Sequence, residues 1–153
     1  MKWQNVATYG LGTWFGCGYV PRAPGTAGTL GAIPLYLLLR ASGSVTILAV
    51  AGALAILGVL ASSRIVRETG KKDPQIIVID EVVGVLVTLA AAPPTWPALV
   101  VGFVAFRIFD MWKPWPARTA ERLPEGWGVV ADDVVAGAYG AAVLGVLRAT
   151  GVL

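Results

Sequence analysis

The chain has 153 residues, 56% of them hydrophobic and only 14% charged, with a net charge of +3, a mean hydropathy of +0.72 and a pI near 9.3. Soluble domains carry about 25% charged residues, so this composition argues against one and predicts a single membrane-embedded domain over 1–153. The twelve Lys and Arg form no basic face with interleaved aromatics, so nucleic acid is not an expected partner, and the lone Cys17 rules out an internal disulfide or a cysteine-based metal site.

The N-terminal MKWQNVATYG lacks the apolar core and cleavage site of a removable signal peptide. From Ala23 to Leu39 there is no charge, and Thr29 to Leu39 reads as an apolar helix interrupted by Pro34, a short or tilted first span. Ala41 to Ser63 is uncharged and long enough to cross a bilayer. Arg64, Arg67, Glu68, Lys71 and Lys72 then predict a polar loop. Asp73-Pro74 has the N-cap and N1 pattern that opens a helix to about Ala92. The prolines of APPTWP allow a tight return into a helix from Trp96 to Trp112, which KPWP ends. Lys113 to Ala131 reads as a polar loop, and Asp132 or Asp133 opens a last helix to about Leu147. The expected fold is all-α, a polytopic membrane bundle of about five helices.

Basic residues collect on the cytoplasmic side of spans. Lys2 and Arg22, then Arg64, Arg67, Lys71 and Lys72, then Lys113, Arg118 and Arg122 alternate with the basic-poor ASGS and APPTWP turns. The three basic segments therefore share one side, expected to be cytoplasmic.

Ionisable groups inside apolar helices cost roughly 2.5 kcal/mol or more at a bilayer centre and normally face a cavity or a partner. Asp80 and Glu81 sit in IIVIDEVVG, and Arg107 and Asp110 are three residues apart before Lys113. The bland alternatives are an ion pair of the first two with Arg107, and an i,i+3 salt bridge for the second pair. One of Asp132 and Asp133 is accounted for as a helix cap; the other is surplus. Asp133, Gly137 and Gly140 share a face on which small residues let another helix approach, within this chain or in a homo-oligomer.

By charge topology these five carboxylates gather on one side with Arg22, Arg107 and Lys113. There too lies PRAPGTAGT, whose Gly25, Thr26, Gly28 and Thr29 offer N–H and hydroxyl donors at a helix start. Carboxylates without His suit a hard cation such as Mg²⁺, and basic groups with a Gly-Thr loop suit a phosphate. Together they point to metal-assisted phosphoryl chemistry. With no histidine, histidine-dependent phosphatase mechanisms are excluded. Cys17 and Arg22 are one residue too close for a cysteine phosphatase loop, and the adjacent acids are not the DxD of haloacid dehalogenases.

PRAPGTAGT, IVIDEVVG, FRIFDMWKPWP and GVVADDVVAG, in this order, resemble the motifs of the phosphatidylglycerophosphatase A family, over about Gly10 to Gly140. The resemblance implies Mg²⁺-dependent hydrolysis of phosphatidylglycerophosphate to phosphatidylglycerol and phosphate, in phospholipid biosynthesis at a bacterial inner membrane. It places the family's acidic positions on Asp80, Glu81, Asp110, Asp132 and Asp133, and its basic ones on Arg107 and Lys113. Metal ligands are then expected among Asp80, Glu81, Asp110 and Asp133, with Asp80 or Asp132 open as base, and phosphate contacts from Arg22, Thr26, Arg107 and Lys113. Thr29 and Val129-Val130 depart from common family fillings without touching a polar position. A CDP-alcohol phosphotransferase is a rival whose spaced Asp signature is absent. The other rival is a small transporter or channel using Asp80 and Glu81, which would spread its acids through the membrane depth.

Overall fold

The computed structural model describes residues 3–153, and within them the chain is helical with no strand. Lys2 lies outside the described residues. Among the described residues eight α-helices follow one another: α1 (Trp3–Gly12), α2 (Pro24–Gly31), α3 (Ile33–Leu39), α4 (Ser44–Thr69), α5 (Ile79–Leu89), α6 (Trp96–Trp112), α7 (Ala117–Ala120) and α8 (Glu125–Ala149). Two of them, α4 and α8, are long and apolar enough to cross a membrane. At 1.5 Å per residue each is about 38 Å long, more than the roughly 30 Å hydrocarbon layer.

The sequence assigned no element to residues 3–12, which form α1 against α4. Asn5 accepts a hydrogen bond from Arg64 at 2.7 Å, and Tyr9 donates to Glu68 at 3.2 Å. The same contacts correct the expected loop after the second span. Arg64 and Glu68 pair at i,i+4 (2.9 Å), and α4 runs on to Thr69, where Gly70 adopts the left-handed conformation that ends it.

Asp73-Pro74 does not open a helix. Residues 70–78 cross the end of α1 instead, with Val78 N–H bonded to the Gly12 carbonyl at 2.9 Å, and α5 starts only at Ile79. This 11-residue helix is the hub of the molecule, packed by α2, α4, α6 and α8. Ile79, Val82, Val83, Val85, Leu86 and Leu89 are all buried, as expected of a helix apolar on every side. Its hydrophobicity, read in the sequence as a span, is satisfied by protein.

α6 has the predicted bounds: Thr95 caps it by accepting from Ala98 N–H, and Lys113 ends it in the left-handed region. α8 starts seven residues earlier than the expected Asp132, after Pro124. The turn-like GWG segment serves close packing. Gly126 N–H donates to Ser63 Oγ at 3.1 Å, and a side chain at Gly126 would overlap the Val59 carbonyl of α4. Asp132 and Asp133 consequently lie two turns inside α8 and cap nothing.

The small-residue face of α8 packs within the chain. A methyl group on Gly137 would overlap the Gly84 carbonyl of α5, and one on Gly140 would stand 2.6 Å from Thr88 Oγ1. Thr88 hydroxyl donates to the carbonyls of Gly137 (3.0 Å) and Gly84 (3.2 Å), tying the two helices together.

Candidate active site

Asp80 and Glu81 occupy the first turn of α5, facing α8, where close approach at Gly84 and Gly137 brings Asp133 alongside. One carboxylate oxygen from each of Asp80, Glu81 and Asp133 lies within 4.8 Å of the others. Asp80 Oδ1, Glu81 Oε2 and Asp133 Oδ2 are buried without a hydrogen-bond partner. Buried polar atoms are nearly always paired. Three orphaned acceptors at one point form a set able to hold a cation, because full ionisation of all three requires a counter-charge between them.

Asp110, expected with this trio, borders Asp133 in the same cavity and is also paired with Arg107 across one turn of α6 at 2.5 Å. The i,i+3 salt bridge weighed as the bland alternative thus forms. It holds the Arg107 guanidinium against α2: a methyl group on Gly25 would overlap Glu81 Oε1 and stand 3.2 Å from Arg107 Nη1. Glycine is required there because Glu81 and Arg107 occupy the place of a side chain.

Asp132 is engaged elsewhere too. Lys113 donates to Asp132 Oδ2 at 2.6 Å and stands 3.5 Å from Glu121, while Asp132 Oδ1 accepts from Asp133 N–H at 3.1 Å. Burial disfavours the charge on Lys113, but the bond to Asp132 and the neighbouring Glu121 and Asp133 outweigh it, and the pKa rises above the ordinary lysine value. Lys113 is therefore a fixed positive charge.

All five acids and Lys113 line one cavity of about 260 Å³, and so do Arg22 and Lys72. Arg22, Lys72 and Lys113 come one from each basic segment of the sequence. Lys72 reads in the sequence only as a loop charge, and nothing local distinguishes it from Lys71; its place in the cavity depends on how residues 70–78 cross the end of α1. Among the described residues neither Arg22 nor Lys72 has a carboxylate partner. Thr26 does not line the cavity, and Thr29, fully buried, spends its hydroxyl on the Gly25 carbonyl at 2.9 Å. The expected hydroxyl donors of PRAPGTAGT are thus absent from the site, and Gly25 and Pro24 reach it instead.

The phosphatidylglycerophosphatase A family model matches residues 10–148. The chain belongs to this family. It is 41% identical over 137 residues to the phosphatidylglycerophosphatase A of Escherichia coli, covering 88% of this chain and 79% of that protein. For the Haemophilus influenzae phosphatidylglycerophosphatase A the identity is 38% over 132 residues, 84% and 81% of the two chains. A Bacteroides thetaiotaomicron protein provisionally named a phosphatidylinositol-3-phosphatase is 40% identical over 97% of this chain and 98% of its own. No solved structure matches significantly. Family membership makes the protein a phosphatase, which removes the transporter and phosphotransferase readings.

Proposed function

We propose that the protein hydrolyses the terminal phosphomonoester of phosphatidylglycerophosphate, releasing phosphatidylglycerol and inorganic phosphate, as a multi-pass protein of a bacterial inner membrane with its cavity on the cytoplasmic side. The observation that carries this reading is the meeting of three unpartnered carboxylate oxygens with Arg22, Lys72 and Lys113 in one cavity. Convergence of all three basic segments there supports a cytoplasmic opening.

Asp80, Glu81 and Asp133 would hold Mg²⁺, which would supply Lewis-acid polarisation of the phosphoryl group. Arg22 and Lys72, without carboxylate partners among the described residues, meet the incoming phosphate dianion, and the first-turn N–H of Gly25, which lines the cavity, supplies a neutral donor. Lys113, aimed by Asp132, adds charge against the equatorial oxygens as the bond breaks, and Arg107, held by Asp110 behind Gly25 and Glu81, adds positive potential from outside the cavity lining. Asp110 and Asp132 act here as positioning residues.

Phosphate release from purified protein in detergent tests the reading, with phosphatidylglycerophosphate and phosphatidylinositol 3-phosphate offered separately, with Mg²⁺ or with chelator. Release from the first lipid, abolished by chelator and restored by Mg²⁺, is the expected result. No release under any condition would sink it, and preference for the inositol lipid would move the substrate to that of the Bacteroides relative's name.

A further inference from the structure

Beside the acid cavity lies a second recess of about 450 Å³, formed by the KPWP segment and the turns after it, and lined by Trp112, Lys113, Trp115, Arg118 and Arg122. Arg118 and Arg122 are four residues apart on helical turns that continue past α7, with Glu121 N–H bonded to Ala117 and Leu123 N–H to Ala120, so both project to one side. Neither arginine has a carboxylate partner among the described residues. Trp112 and Trp115 are 66% and 78% exposed, at the end of α6 where indole rings suit the head-group layer. Lys113 lines both this recess and the acid cavity, so the two spaces adjoin across a single side chain.

We propose that this recess is the specificity subsite for the phosphodiester of the lipid substrate, with Arg118 and Arg122 as its anion-binding groups. The inference rests on the proposed lipid phosphatase activity. Such a substrate carries two phosphates joined by a three-carbon alcohol: the terminal one enters the acid cavity, the alcohol passes Lys113, and the diester sits between the arginines. Its acyl chains leave over Trp112 and Trp115 into the bilayer. Arginine's planar fork matches the two free oxygens of a diester. A soluble phosphomonoester would fill only the first cavity, so the recess distinguishes lipid from soluble phosphates.

The test uses the full-length protein in neutral detergent and the double variant Arg118→Gln/Arg122→Gln. Binding of phosphatidylglycerol, which carries the diester but no cleavable phosphate, is read by native mass spectrometry without added metal, with diacylglycerol as the lipid lacking a diester. We expect phosphatidylglycerol binding to weaken about tenfold or more in the variant and diacylglycerol binding to stay unchanged. We also expect KM for phosphatidylglycerophosphate to rise by a similar factor, with a smaller change in kcat. Unchanged phosphatidylglycerol binding overturns the proposal, as does equal loss of both lipids. If wild-type protein binds phosphatidylglycerol through the arginines yet releases no phosphate from phosphatidylglycerophosphate, the subsite stands and the activity assignment fails.

Discussion

Asp80, Glu81 and Asp133 have different neighbours from Asp110 and Asp132, and this separates their roles in a way that residue type cannot. The first three keep an oxygen unpaired, whereas the other two are committed to Arg107 and Lys113. Changing Asp80 or Asp133 to Asn, or Glu81 to Gln, should lower kcat/KM by about 10²- to 10³-fold in the phosphate-release assay. Their melting temperatures should hold or rise, because each substitution removes a like charge from a crowded buried site. A loss of stability parallel to the loss of rate would count against a catalytic role. Lys113→Gln should behave in the opposite sense. It leaves Asp132, only 4% exposed, without its cation, and should destabilise by about 2 kcal/mol in denaturant titrations. Because the Lys113 pKa is raised in the folded state, its contribution is complete below the ordinary lysine value of about 10.4 and declines only as pH climbs through the folded value. Wild type and variant should therefore converge in stability in strong base.

At the scale of elements, the site depends on how closely α5 and α8 approach. Gly84 lies against the Phe106 ring and 2.7 Å, measured from an added methyl group, from the Asp133 carbonyl. Gly84→Ala should push α8 away, cost about 1–3 kcal/mol and impair activity by moving Asp133 off Asp80 and Glu81. Gly145, whose added methyl would meet nothing, is the control: Gly145→Ala should leave melting temperature and rate close to wild type. The contrast was partly visible in the sequence, since the spacing of Asp133, Gly137 and Gly140 marks a close-packing face. Whether that face served one chain or two was not visible, because a small-residue stripe fits any helix of matching shape; Thr88 bonded to Gly137 places it within the chain. The starts of α5 and α8 were misjudged for a related reason. Asp-Pro and Asp-Asp look like caps locally, but packing of residues 70–78 and of Gly126 overrode those local preferences.

For the whole molecule, the proposed orientation can be tested with the single native thiol removed. In a Cys17→Ser background, a cysteine at Lys71 should react with an impermeant maleimide only in inside-out vesicles, and one at Ser42 only in right-side-out vesicles. Both positions are exposed. Labelling of both from the same side would refute the alternation of basic and basic-poor segments on which the topology rests.

The helical class, the family and the acidic and basic candidates are legible along the chain, because hydropathy, proline placement and the four motifs are local properties that survive without a fold. The sequence also brings the basic segments to one side, since charge asymmetry between loops is read along the chain. Four features emerge only from the folded chain: α5 is a protein-covered hub, Asp80, Glu81 and Asp133 meet with free oxygens, Asp110 and Asp132 are tied to cations, and Lys72 joins the cavity while Thr26 and Thr29 do not. Each of these depends on contacts between residues distant in the chain, where burial and pairing choose among side chains that are chemically alike. The feature both levels share is the acid cluster: its members are written in the sequence, and the packing of α5 against α8 selects which of them remain free to bind.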